Sequence, residues 1–122
     1  MPIEACIFDG DNLDTTIHLG LYLKKELIGV CTLLKNNNAL FSTINQYQLR
    51  GMAILTEFQG DGLGSYILKY AESILMKNKV EIIWCNAREV AINFYKKSGY
   101  KIKGKPFEIE TAGTHYIMYK IL

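Results

Sequence analysis

Apolar and polar residues alternate through Ile17, Leu19, Leu21 and Leu23, which predicts a strand over residues 16–23 with one buried face. Lys24-Lys25-Glu26 turns the chain into a second apolar run, Leu27 to Leu34, so the pair reads as a hairpin. Asn36-Asn37-Asn38 is loop chemistry, and Ala39 to Ile44 reads as a short third strand. A fourth strand covers 48–55, where Gly51 among apolar neighbours suggests a bulge. Past a glycine-rich turn, Ile67, Leu68, Ala71, Ile74 and Leu75 recur at helical spacing and predict a helix over about residues 64–78. A buried-strand run at 80–85, a helix at 88–98 and two closing strands near 100–109 and 115–122 complete the pattern. Ahead of the first strand, residues 1–15 become polar in their second half, and Asp9-Gly10-Asp11-Asn12 is turn chemistry.

The resulting order, β-β-β-β-α-β-α-β-β, predicts an α/β fold: a mixed central β-sheet flanked by helices, in one domain over residues 1–122. A right-handed crossover places strand 80–85 parallel to strand 48–55. No repeat, low-complexity tract or interdomain linker interrupts it.

Composition narrows the function classes. The chain has 122 residues, 49% hydrophobic and 21% charged, which excludes disorder and leaves room for a single core. A net charge of +2 without a basic stripe of interleaved aromatics argues against a nucleic-acid partner. Lys96-Lys97 and Lys101, Lys103 and Lys105 read as a solvated helix end and strand edge. The three cysteines lack metal or redox spacing, so no metal is expected, and Cys31 and Cys85 read as small core residues. This usage suits a reducing cytoplasm. No run approaches the ~18 apolar residues of a membrane span, and Glu4 and Asp9 stand where a basic signal region would be; no membrane is expected.

The most informative stretch is the turn Gln59-Gly60-Asp61-Gly62-Leu63-Gly64 between an apolar strand and an amphipathic helix. Glycines let a backbone bend tightly and approach a ligand. The first amides of a helix lack internal partners and sit at the positive end of its dipole, so the turn suits a phosphate or pyrophosphate. A Walker loop would end in Gly-Lys-Ser/Thr, and here Gly64-Ser65-Tyr66 has no lysine. A dinucleotide fingerprint needs a third glycine where Ser65 stands, and an acid closing the next strand, which Glu81 opens instead. The spacing that fits is Q-x-x-G-x-G, at Gln59, Gly62 and Gly64; a plain turn remains the other reading.

That pattern resembles the coenzyme A pyrophosphate loop of the GNAT superfamily of N-acetyltransferases. Asn86 to Tyr100, with Ala91, Phe94, Tyr95, Gly99 and Tyr100, is similar to that family's A-x-x-F-Y-x-x-x-G-[FY] helix, and it follows a buried strand as the family's order requires. Phe107-Glu108-Ile109 and His115 to Lys120 resemble a subgroup of small bacterial members. The resemblance covers roughly residues 16 to 122. It implies an N-acetyltransferase that moves an acetyl group from acetyl-CoA, as cosubstrate, to a primary amine by direct attack. The acceptor would be a small molecule or a peptide.

By the same resemblance, the strand backbone at Met52, Ala53, Ile54 and Leu55 would bind pantetheine. Gln59, Gly60, Asp61, Gly62, Leu63, Gly64 and Ser65 would hold the pyrophosphate. Asn86 and Arg88 are further cofactor candidates: Arg88 stands where many members have asparagine, so Asn86 substitutes for it or Arg88 binds a phosphate. Tyr95 matches the family's general acid, a phenol of pKa ~10 facing a leaving thiolate of pKa ~8–9. A core aromatic is its structural alternative. Glu108 and His115 are the candidate bases, because an amine of pKa ~10.4 is almost wholly protonated at neutral pH. Gln59 departs from the arginine often found there. Family members also carry a strand and two helices before the hairpin, where this chain has a short segment. The acceptor pocket is therefore expected to be open, completed by a second subunit in a homodimer, or built by the 103–115 loop. A non-catalytic acyl-CoA-binding sensor is the alternative function.

Overall fold

A computed structural model describes residues 3–8, 15–60 and 62–122. Seven strands follow one another as β1 (Ile3–Phe8), β2 (Ile17–Leu23), β3 (Glu26–Lys35), β4 (Gln46–Ile54), β5 (Ile82–Arg88), β6 (Lys101–Ile109) and β7 (Gly113–Ile121). Helix α1 (Leu63–Lys77) joins β4 to β5, and α2 (Ile92–Lys97) joins β5 to β6. The strands form one sheet in the order β1-β2-β3-β4-β5-β7-β6. As expected from a right-handed crossover, β5 runs parallel to β4; the other neighbours are antiparallel.

The element order matches the expected string, but one strand in it has changed places. Residues 39–44 form turns instead of a strand, with Ile44 79% exposed. Polar side chains hold this loop in place of a ladder: Asn38 N–H donates to Gln46 Oε1, Gln46 Nε2 donates to Asn38 O and Thr43 O, and Thr43 Oγ1 donates to Glu81. The extra strand is β1, which pairs with β2 from Ile3↔Leu23 to Phe8↔His18. Its signal was the Ile3, Ala5, Ile7 alternation, of which Ile3 and Ala5 pack against the core. The Asp9–Asn12 turn chemistry lies outside the described residues.

The second discrepancy is at the β5–α2 junction. The expected helix at 88–98 is α-helical only from Ile92, after a 3₁₀ turn at Glu89–Ala91. Strand β5 runs on to Arg88 because β7 pairs with it all the way to Arg88↔His115. Ladder bonds to a full-length neighbour outweigh the helix propensity of Ala87 and Arg88.

Strand alternation sorts the sheet into two faces. One carries Leu19, Leu21, Cys31, Leu33, Leu49, Ile83, Cys85, Ala87 and Met118, all buried beneath Ile67, Leu68, Ala71 and Leu75 of α1. Helix α2 shares this face, and its Phe94 ring packs on Gly64, where an added Cβ would lie 3.1 Å from the ring. Side chains on the opposite face are more polar. The 36–45 loop covers part of it: Trp84 Nε1–H donates to Asn36 O, Asn36 Nδ2 donates to Gln48 Oε1, and Phe41 packs on Tyr119. On edge strand β6, Lys101, Lys103, Lys105 and Pro106 are exposed, a combination that discourages edge-to-edge pairing.

One buried polar network crosses the helix-covered face. Glu72 of α1 accepts from Tyr100 Oη at 2.8 Å and from Lys120 Nζ of β7 at 2.9 Å, and Lys120 also donates to Ser98 O. Burial first, then the Glu72 carboxylate, push the Tyr100 phenol far above its ordinary range. Lys120→Met would keep the stem and strand Glu72 in an apolar layer. We expect a loss of about 2 kcal/mol in urea unfolding, less than the ~3–5 kcal/mol of a fully buried pair because the lysine side chain is 32% exposed. The Lys120→Met, Glu72→Gln double variant should recover part of that loss.

Candidate active site

The centre of the sheet is split. Strands β4 and β5 pair only from Gln46↔Ile82 to Gln48↔Trp84. Beyond that point β4 stays with β3 as far as Ile54, while β5 stays with β7 as far as Arg88. A bulge in β4 contributes to the parting: Gly51 and Met52 together oppose Cys31, and Gly51 has φ +60°. The extra residue bends its strand and increases local twist.

A cleft of about 380 Å³ fills the gap. Its lining differs by face. Leu49, Cys85, Ala87, Ala91 and Tyr95 belong to the helix-covered side, whereas Gln48, Arg50, Asn86, Arg88 and His115 come from the opposite side. Tyr95 is 8% exposed, with its ring edge-on to Phe94 and Tyr100, and its hydroxyl bonds to the Cys85 thiol. Burial, followed by the charge and hydrogen bond of Cys85, raises the Tyr95 phenol well above its usual range. Burial likewise pushes the Cys85 and Cys31 thiols up to about 12.

His115, 5% exposed, lies beside Phe107 with ring centroids 6.0 Å apart. Its Nδ1 is 2.9 Å from the Gly113 carbonyl. A carbonyl only accepts, so Nδ1 carries the proton and donates; Nε2 is left as the acceptor nitrogen. Glu108, the other candidate base, is not brought into the cleft. It is exposed on β6 and accepts from Thr114 Oγ1. The expected 103–115 loop is a hairpin of β6 and β7, and it contributes Ile109 as well as His115 to the lining.

Of the four positions expected to meet pantetheine, Met52 lines this cleft. Ala53, Ile54 and Leu55 line a second hollow of about 270 Å³ against Leu27 to Val30. Leu55 N–H bonds back to Ile28 O, so the Ile54 carbonyl of the same trans peptide points to the opposite side, where Gln59 Nε2 donates to it at 2.9 Å. Gln59 thus braces the turn. Gly60 and Gly62 follow with φ +88° and +78°, and Gly62 is the N-cap of α1 with no side chain to bond the amides of Leu63, Gly64 and Ser65. The Leu63 side chain itself is buried in the core. Asp61 lies outside the described residues. Asn86 and Arg88, expected near the cofactor from a helix, are instead exposed on β5.

Arg50 and Cys85 are among the cleft residues that were missed. Arg50, a charge inside an otherwise apolar strand run, was a legible signal; Cys85 as the partner of Tyr95 left none, since its pattern is that of core.

The acetyltransferase (GNAT) family model matches residues 3–100. The chain belongs to that family. The Bacillus subtilis protein YitI, described as an uncharacterised N-acetyltransferase, is 36% identical over 120 residues, covering 98% of this chain and 80% of YitI. A B. subtilis acetyltransferase solved in complex with CoA superimposes with a TM-score of 0.78 at 14% identity over 99% of each chain. An IAA acetyltransferase from Bacillus cereus gives 0.80 at 11% identity, over 99% of this chain and 100% of that one. As a GNAT member the chain is an acetyl-CoA-dependent acyltransferase. Among the described residues no helix is long and apolar enough to cross a membrane, and no cluster of His, Cys, Asp or Glu is arranged to hold a metal ion.

Gly51 offers a clean test of how the split is built. Nothing lies within 4 Å of an added Cβ there, so any cost of Gly51→Ala comes from the left-handed backbone alone. We expect about 1 kcal/mol in chemical unfolding, with Gly51→Asn costing less because asparagine tolerates that region better.

Proposed function

We propose that this GNAT domain transfers the acetyl group of acetyl-CoA to the primary amine of a small-molecule or peptide acceptor by direct attack in the β4–β5 cleft. The observation that carries the proposal is that Tyr95 and His115 line one cleft from opposite faces of the sheet. The glycine turn supports it as the pyrophosphate seat, since Gly60 and Gly62 leave space where a Cβ would stand and the first α1 amides are uncapped. The free edge of β4 is the wall along which the pantetheine arm would lie.

His115 is the base we assign. With Nδ1–H held by Gly113 O, Nε2 takes a proton from the incoming ammonium and frees its lone pair. The amine then attacks the thioester carbon, and the C–S bond breaks as the tetrahedral adduct collapses. Tyr95 supplies the proton to the departing sulfur, and the second proton, shed by the amine nitrogen as the amide forms, restores the phenol. Its raised pKa keeps it protonated at working pH. Burial raises the neighbouring Cys85 to about 12 against the lowering hydrogen bond of Tyr95, and desolvation of a thiolate leaving along this wall would raise its basicity in the same direction.

Cofactor binding is the first check: acetyl-CoA at 100 times its Kd should stabilise the protein by about 2.7 kcal/mol in a thermal melt, and ATP and NAD far less. Equal stabilisation by ATP, or none by coenzyme A, would overturn the proposed cosubstrate. Tyr95→Phe should keep acetyl-CoA affinity and lose roughly 10²–10³ in kcat, measured by release of free thiol with an amine acceptor. A variant that stays fully active but melts earlier would make Tyr95 a packing residue. His115→Gln should be most impaired near neutral pH and regain rate as pH rises toward the acceptor's own pKa of ~10, where the amine needs no base. An unchanged pH profile would remove His115 from the mechanism.

The three cysteines Cys6, Cys31 and Cys85 are all free, which supports a reducing compartment such as the cytoplasm for this activity.

A further inference from the structure

Arg50 and Arg88 sit on opposite lips of the split. Arg50 pairs across β3 with Thr32, and Arg88 pairs across β7 with His115, so both stand on the sheet face away from the helices. Each is exposed and lines the cleft. Among the described residues no ion pair engages either guanidinium, and the cleft lining contains no aspartate or glutamate. The remaining polar groups there are uncharged amides, Gln48 and Asn86, and Gln48 is fixed by Asn36. The glycine turn, by contrast, leads into α1 on the other face. Two cations beside the candidate base, unpaired among the described residues, repel a polycationic amine and attract an anion.

We propose that the acceptor is an amine that also carries a carboxylate, an α-amino acid being the simplest, and that Arg50 and Arg88 bind that carboxylate while His115 receives the amine. A guanidinium presents parallel N–H donors that match a carboxylate, and two of them on separate strands fix its position as well as its charge. Because Arg88 pairs with His115 across β7, a carboxylate held there would bring an amine one or two carbons away toward the His115 ring. This assignment rests on the acyl-transfer reading above and places Arg88 with the acceptor instead of with a cofactor phosphate.

The test is thiol release from acetyl-CoA with the common L-amino acids and their carboxamides, compared at equal concentrations of free amine, beside spermidine and kanamycin as cationic acceptors. We expect kcat/KM for the preferred amino acid to exceed that for its carboxamide by about tenfold or more, the value of one charge-assisted hydrogen bond. Arg50→Gln and Arg88→Gln should each raise the amino-acid KM about tenfold, leave the acetyl-CoA KM unchanged and nearly abolish the preference over the carboxamide. Turnover of spermidine or kanamycin in preference to every amino acid would overturn the inference and leave acyl transfer standing. So would Arg variants that raise the acetyl-CoA KM instead, since the guanidiniums would then belong to the cofactor. Silence across all acceptors, with coenzyme A still bound, would overturn acyl transfer and this inference together.

Discussion

Everything at this site depends on two adjacent strands that have committed their hydrogen bonds elsewhere. Strand β4 cannot follow β5 because its bulge keeps it in register with β3, and β5 cannot follow β4 because β7 holds it to Arg88. An unpaired edge in mid-sheet leaves backbone donors and acceptors without ladder partners, which a protein tolerates only where water, a side chain or a ligand can meet them. Gln59 meets one such carbonyl, that of Ile54, and the open cleft exposes the rest. Binding capacity and structural cost are here the same groups.

The period-two alternation of strands then separates two chemistries by the thickness of a sheet. Odd positions of β5 put Cys85 and Ala87 under the helices, in an environment that holds thiols and phenols protonated; even positions put Asn86 and Arg88 on the more polar face. The proposed proton donor and the proposed base therefore need no loop to keep them apart. Alternation along one strand accomplishes it, with α2 adding Tyr95 on one side and β7 adding His115 on the other.

Most of this was legible in the chain. The β2–β3 hairpin, the Gly51 bulge, the parallel crossover and α1 all follow from periodicity and glycine placement, which are local signals. The errors arose where a distant partner decides. Residues 39–44 have strand-like composition, but Asn38 and Gln46 give the backbone side-chain partners that compete with a ladder. Strand β5 outruns its apolar segment because β7, some thirty residues on, extends it to Arg88. Residues 3–8 look too short and too near a polar stretch to stand out, and only β2 makes them a strand. At the site, the turn and Tyr95 were visible as spaced motifs. That His115 and not Glu108 lines the cleft was not, because it depends on which face of the β6–β7 hairpin each side chain occupies.

The position of β7 has a consequence for how the chain reaches this structure. It inserts between β5 and β6, although it follows both in sequence, and it carries Lys120, the cation for Glu72 of α1. As the polypeptide emerges from a ribosome, β5 therefore has an open edge, β6 has no strand to dock on, and the Glu72 carboxylate lacks its ion-pair partner until β7 is available. The first part of the sheet can assemble from hairpins, but the half bearing His115 cannot be completed before β7 is available. A nascent chain stalled before β7 presents an unpaired apolar strand, the kind of surface that chaperones shield from aggregation.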